Sequence, residues 1–145
     1  MLIIGGGDTG ADCIGTSHRQ GAASVTSLEI MPKPPKSRAE DNPWPQWPFI
    51  YRTASAHEEG GERVYSVQTK KFHGDEDGNV TELELTKVEI QREAGRMQFN
   101  DVPNSKEMLK ADFVFLAMGF TGAEKEGLVE QLGIDLNDRT NVWQE

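Results

Sequence analysis

The chain opens on an unbroken apolar run, Met1-Leu2-Ile3-Ile4, which predicts a short strand. Ala11, Ile14 and His18 then recur at helical spacing, with Arg19 in the last turn and Gly21 as the C′ stop. Val25 to Ile30 reads as a second strand and completes a βαβ opening. From Met31 to Pro48 the periodicity vanishes among Pro32, Pro34, Pro35, Pro43, Pro45 and Pro48. Proline removes donors and fixes φ, so this segment is expected to be an extended surface loop, pinned to the body by Trp44 and Trp47.

Tyr51 to Glu59 predicts one short helix stopped by Gly60-Gly61. Arg63 to Phe72 and Val80 to Ile90 read as antiparallel strands around the turn-rich segment 74–79, the start of a β-meander. In the second of them Leu83 and Leu85 share one face while Val88 and Ile90 take the other, which predicts a bulge or a strong twist. Ala111 to Phe120 is continuously apolar after Asp112, the pattern of a parallel strand buried on both faces. Leu128 to Leu132 predicts a last helical turn or two, and 135–145 is polar with little pattern. The fold class expected is α/β, a Rossmann-like parallel sheet with an antiparallel β-meander.

Chemistry enters where the first strand meets the helix. Gly5, Gly7 and Gly10 form G-x-G-x-x-G directly after an apolar strand. The first glycine permits the tight turn, the second removes a side chain where a pyrophosphate must approach backbone, and the third lets the helix pack close to the sheet. The amides at the helix start, those of Asp8 and Thr9 among them, and the positive end of the helix dipole then face the phosphates. Asp8 is also a candidate helix cap. Glu29 ends the second strand about 20 residues after the last glycine, where an acidic side chain receives the ribose hydroxyls of NAD. Lys33, Lys36 and Arg38 argue the other way, since a basic loop beside the ribose suits a 2′-phosphate. NADH and NADPH therefore both stay open, with Glu29 in the more sharply defined position. Gly119, at the carboxyl end of the last strand, belongs on the same rim as the glycine loop and is a candidate for the nicotinamide side. The cofactor-binding candidates are thus Gly5, Gly6, Gly7, Asp8, Thr9, Gly10, Glu29, Lys33 and Gly119, with no catalytic side chain and no metal ligand expected.

Length and charge narrow the setting. At 145 residues the chain is about one domain, 1–145, and its formal charge of −9 opposes nucleic acid and anionic membrane as partners. No stretch approaches membrane-spanning length. Cys13 is the only cysteine, which rules out an intrachain disulfide and fits a reducing cytoplasm; it reads as a small apolar residue of the first helix. His18, His57 and His73 have no recognised ligand spacing. A strand of this type beginning at Met1 leads to the expectation of a piece excised from a larger FAD-containing subunit.

The stretches IGGGDTGADC, LEIMPKPPKSRAEDNPWPQWP, YSVQTKKFHGDEDGNV and ADFVFLAMGFTG together resemble the nicotinamide-binding domain of the glutamate synthase small (beta) subunit. Nearly the whole chain takes part, and the proline-tryptophan loop and the TKKF segment are more specific than the glycine motif. The resemblance implies a domain inserted in an FAD domain, with iron–sulfur clusters elsewhere in the complete subunit and a large subunit as partner. It implies that NAD(P)H held here passes hydride to flavin for glutamate synthesis from 2-oxoglutarate and glutamine. It also implies that the isolated domain is inactive. The cysteine motifs for clusters and the downstream FAD-contacting glycine-aspartate motif do not occur in this chain. Two other readings stand beside it: the nicotinamide domain of another two-dinucleotide flavin reductase, and a non-catalytic interaction module presenting the Trp-Pro loop.

Overall fold

The computed structural model describes residues 1–93 and 96–144. Its frame is a parallel sheet built from β1 (Leu2–Ile4), β2 (Thr26–Glu29), β3 (Glu62–Tyr65) and β8 (Val114–Leu116), in the spatial order β3-β2-β1-β8. Helix α1 (Asp8–Arg19) makes the crossover from β1 to β2. Its start is capped by the extended backbone of Gly7, and it stops where Gly21 turns to φ +83° and donates to the His18 carbonyl. A second layer consists of β4 (Val67–Gly74), β5 (Val80–Glu93), β6 (Arg96–Asp101) and β7 (Glu107–Lys110), all antiparallel.

Alternation along β1 separates two cores, because successive side chains of a strand point to opposite faces. Ile3 packs under α1 with Ile14, Val25 and Ala117. Leu2 and Ile4 turn the other way, toward Leu28, Val67, Leu83, Leu85 and Ala111, and so bind the parallel sheet to the antiparallel one. Burial of Ile3, Ile14 and Leu83 is essentially complete, and each contributes about 1.5–3 kcal/mol in hydrophobic transfer.

Several elements depart from the sequence pattern. The strand expected over Arg63–Phe72 is broken at Ser66, whose φ of +55° ends β3 in the parallel sheet and starts β4 in the other. Ser66 donates from its amide to the Met31 carbonyl and accepts from the Val88 amide, so contacts from two distant segments hold a conformation its own side chain disfavours. The helix expected over Tyr51–Glu59 shrinks to the single turn α2 (Ser55–Glu58), and the Tyr51 amide donates instead to the Pro35 carbonyl of the proline-rich loop. Strands β6 and β7 are not among the expected elements, although Met97 and Phe99 alternate with Arg96, Gln98 and Asn100 along β6.

The apolar phase switch in β5 coincides with a change of neighbour. Residues Glu82 to Leu85 pair with β7, residues Val88 to Glu93 pair with β6, and Ser105 ties the junction by accepting from the Lys87 amide. The regular part of the last apolar run is only Val114–Leu116, and it is not buried on both faces: Phe115 is 42% and Leu116 63% exposed. It forms the edge of the sheet, and a helix about 10 Å across spans roughly two strands, so α1 over β1 and β2 leaves the edge strand open. Trp44 and Trp47 are 83% and 79% exposed, which corrects their expected role as anchors. The loop is held instead by Arg38, donating to the Asn42 and Gln46 carbonyls, and by Asn42, whose side chain reaches Gln46, Trp47 and Phe49. Residues 125–134 make irregular turns, and a bridge between Leu136 and Val142 closes a small loop near the end of the described chain.

Candidate functional site

The glycine loop sits where three strand ends meet. Gly5, at φ +121°, donates to the Leu28 carbonyl at 2.9 Å, and a Cβ on it would lie 2.1 Å from the Ala117 carbonyl oxygen. Gly10 is as crowded, with a Cβ position 2.3 Å from the Gly5 carbonyl oxygen. These two glycines let β1, β8 and α1 converge. Gly7 differs, since nothing lies within 4 Å of the place its Cβ would occupy. Open space over the middle glycine, with packed backbone under the outer two, is the cradle a pyrophosphate requires.

Glu29 reaches back onto the loop. Its Oε2 accepts from the Gly6 amide at 2.7 Å and its Oε1 from the Met31 amide at 2.9 Å. An ionised carboxylate offers about four acceptor positions, so lone pairs remain for further donors. Asp8 and Thr9 are exposed in the first turn of α1. Asp8 does not cap the helix, because the cap position belongs to Gly7 and Asp8 is already the first helical residue.

A cleft of about 670 Å³ joins the loop to both sheets. Gly5, Gly6, Gly7, Glu29 and Gly119 line it, so five of the residues singled out by sequence meet on one rim. Lys33 does not line it; its ammonium lies 4.7 Å from the centre of the Tyr51 ring. The opposite wall comes from β4, through Val67, Thr69 and Phe72 among others, and sequence reasoning missed it because it took β4 for a continuation of β3. Among the described residues two carboxyl groups are displaced from their ordinary titration, both in the antiparallel layer. Hydrogen bonding from Asn79 holds Asp75 below 3.8, and Lys106 together with His73 holds Glu84 below 4.5. Among the described residues no cluster of His, Cys, Asp and Glu could hold a metal ion, and no helix is long and apolar enough to cross a membrane.

No family model matches the chain. It is 52% identical over 142 residues to the glutamate synthase [NADPH] small chain of Mycobacterium tuberculosis, covering 98% of this chain and 28% of that one. The chain is a homologue of one segment of the glutamate synthase small chains. It is also 45% identical over 131 residues to the glutamate synthase [NADH] of Saccharomyces cerevisiae, covering 86% of this chain and 6% of the yeast protein. This small-chain homologue thus spans 28% of the bacterial relative it matches. Among solved structures, Mycobacterium tuberculosis FprA in complex with NADPH aligns with a TM-score of 0.63 at 13% identity, over 95% of this chain and 41% of FprA. A FAD-dependent pyridine nucleotide-disulphide oxidoreductase from Desulfovibrio vulgaris aligns with a TM-score of 0.54 at 16% identity, over 95% of this chain and 28% of that one. The small-chain homologue therefore has the α/β fold of these oxidoreductases, a four-stranded parallel sheet with an antiparallel sheet beside it.

Proposed function

We propose that the chain is the NAD(P)H-binding domain of a flavin-dependent oxidoreductase, one part of a longer glutamate synthase small chain. The observation that carries this reading is the contrast among the glycines: backbone packed against Gly5 and Gly10, open space over Gly7. When bound, the dinucleotide supplies the hydride that a flavin accepts. The chain's own residues bind and orient. The amides of Gly7, Asp8 and Thr9 at the start of α1 take the pyrophosphate, while those of Gly5 and Gly6 hold the loop to Leu28 and Glu29; Glu29 takes the ribose next to adenine, and Gly119 borders the nicotinamide side. No side chain here has to move a proton. In the complete protein FAD, iron–sulfur clusters and a large subunit carry the electrons onward to form glutamate from 2-oxoglutarate and glutamine. The relatives named as glutamate synthases support that wider role.

Gly7→Val tests the cradle. The new side chain enters open space, so calorimetry is expected to show lost NADH and NADPH binding while the melting temperature stays near that of the parent. Gly10→Ala is the contrast: its Cβ meets the Gly5 carbonyl, and overpacking of this kind costs about 1–3 kcal/mol of stability. Undiminished binding by a folded Gly7→Val chain would remove the loop from the site.

A further inference from the structure

We propose that a helix contributed by the rest of the longer protein packs into the open groove between α1 and β8, with Phe113 and Phe115 as its floor. This rests on the reading of the chain as one segment of a small chain and does not involve the nucleotide cleft. Register places the two rings. Phe115 stands level with Ile3 in the parallel pairing, and Ile3 packs under α1, so Phe115 belongs to the α1 face of the sheet, as does Ala117 two residues further on. Phe113 lies two residues before it, and with Ser17 and Gln20 of α1 it lines a groove of about 400 Å³. Both rings are open, Phe113 at 64% and Phe115 at 42% exposure.

The two flanks of α1 are unlike. On one, the turn α2 closes against it, with the Ala56 methyl 3.0 Å from where a Cβ on Gly15 would stand. On the other, over β8, no helix packs among the described residues. Parallel sheets occur with both faces covered, and packed helices sit about 10 Å apart, roughly two strand spacings. The next helix beyond α1 therefore falls over β8, where the two rings stand. Size and charge choose the occupant. The chain spans 28% of the bacterial small chain it matches, so most of such a protein lies outside this segment and can supply a tethered helix. A second copy fits poorly, because each chain carries a formal charge of −9 and two copies repel. A helix that covers Phe113 and Phe115 needs apolar side chains three and four apart on one face.

Photocrosslinking identifies the occupant. In the complete small chain, Phe113→p-benzoylphenylalanine is expected to crosslink within the same polypeptide, to a peptide outside these 145 residues that has apolar residues three and four apart. Crosslinking to a second copy, to a peptide without that spacing, or to nothing would overturn the proposal. Stability gives an independent reading. Phe113→Asp is expected to move the melting temperature of the isolated chain by less than about 2 °C, since the ring is already open to water, and to lower that of the complete small chain by about 5 °C or more. Equal shifts in the two proteins would overturn the groove as an interface. Phe113→Ser carries the same comparison if the aspartate variant does not fold. NADH binding by the isolated variants is expected to match that of the parent. A parent that binds no NADH would remove the dinucleotide reading and leave this groove standing.

Discussion

Glu29 serves the fold, and in the proposed reading it serves the ligand as well. Its carboxylate already holds the Gly6 and Met31 amides, so a truncation removes more than a ribose contact. Glu29→Ala is expected to lower NADH affinity by at least about tenfold, because hydrogen bonds to a charged acceptor are lost and two amides lose their partner. The same change removes a negative charge that repels a 2′-phosphate, so NADPH is expected to gain relative to NADH. Lys33→Ala is expected to leave both affinities unchanged, since that ammonium rests on Tyr51 outside the cleft. Competing titrations with the two cofactors at fixed ionic strength check all three outcomes. An NADPH preference abolished by Lys33→Ala, with Glu29→Ala silent, would transfer selectivity to the basic loop.

Among the elements, the β4–β5 hairpin carries its own acid sensitivity. Asp75 accepts from the Asn79 side chain and from the Asn79 and Asp77 amides, and these bonds favour its ionised form. A lowered carboxyl contributes stability that is present above its unfolded value of 3.8 and is lost as pH falls through the folded value. An NMR titration is expected to show the Asp75 carboxyl titrating below 3.8, with the Asn79 amide moving at the same midpoint. In Asp75→Ala that transition disappears. The glycine spacing, α1 and the end of β2 were legible in sequence because each is a local pattern of period and turn chemistry. The switch of sheets at Ser66 was not, since its left-handed backbone is imposed by Met31 and Val88, partners remote in the chain. The exposure of β8 was illegible for a related reason. An apolar run reports the character of a strand, while its place at the edge of a sheet depends on topology.

For the molecule as a whole, the proposed reading divides function between this domain and the rest of a longer protein. The purified chain is expected to bind a nicotinamide dinucleotide, to show no stoichiometric flavin band in its visible spectrum, and to turn over no glutamine with 2-oxoglutarate unless further subunits are added. A flavin band or unaided turnover would show that the active unit is smaller than the proposed division requires. Phe113, Phe115 and Phe120, in β8 and the segments flanking it, are exposed, and large apolar groups standing open mark a surface suited to contact.

The bond from Gly6 to Glu29 has a kinetic and entropic consequence for the first encounter with nucleotide. Loops that must order on binding lose conformational entropy at that moment, about 1–2 kcal/mol for each backbone residue fixed. Here the turn between β1 and α1 is fastened at its middle to the end of β2, so in the proposed reading a nucleotide meets a loop whose backbone is already tied down. Hydrogen exchange is therefore expected to find the Gly6 amide protected before any ligand is added, and rapid exchange there in the free chain would mean that the loop orders only on binding. A preformed loop favours fast docking and leaves the lifetime of the complex to the contacts made beyond it.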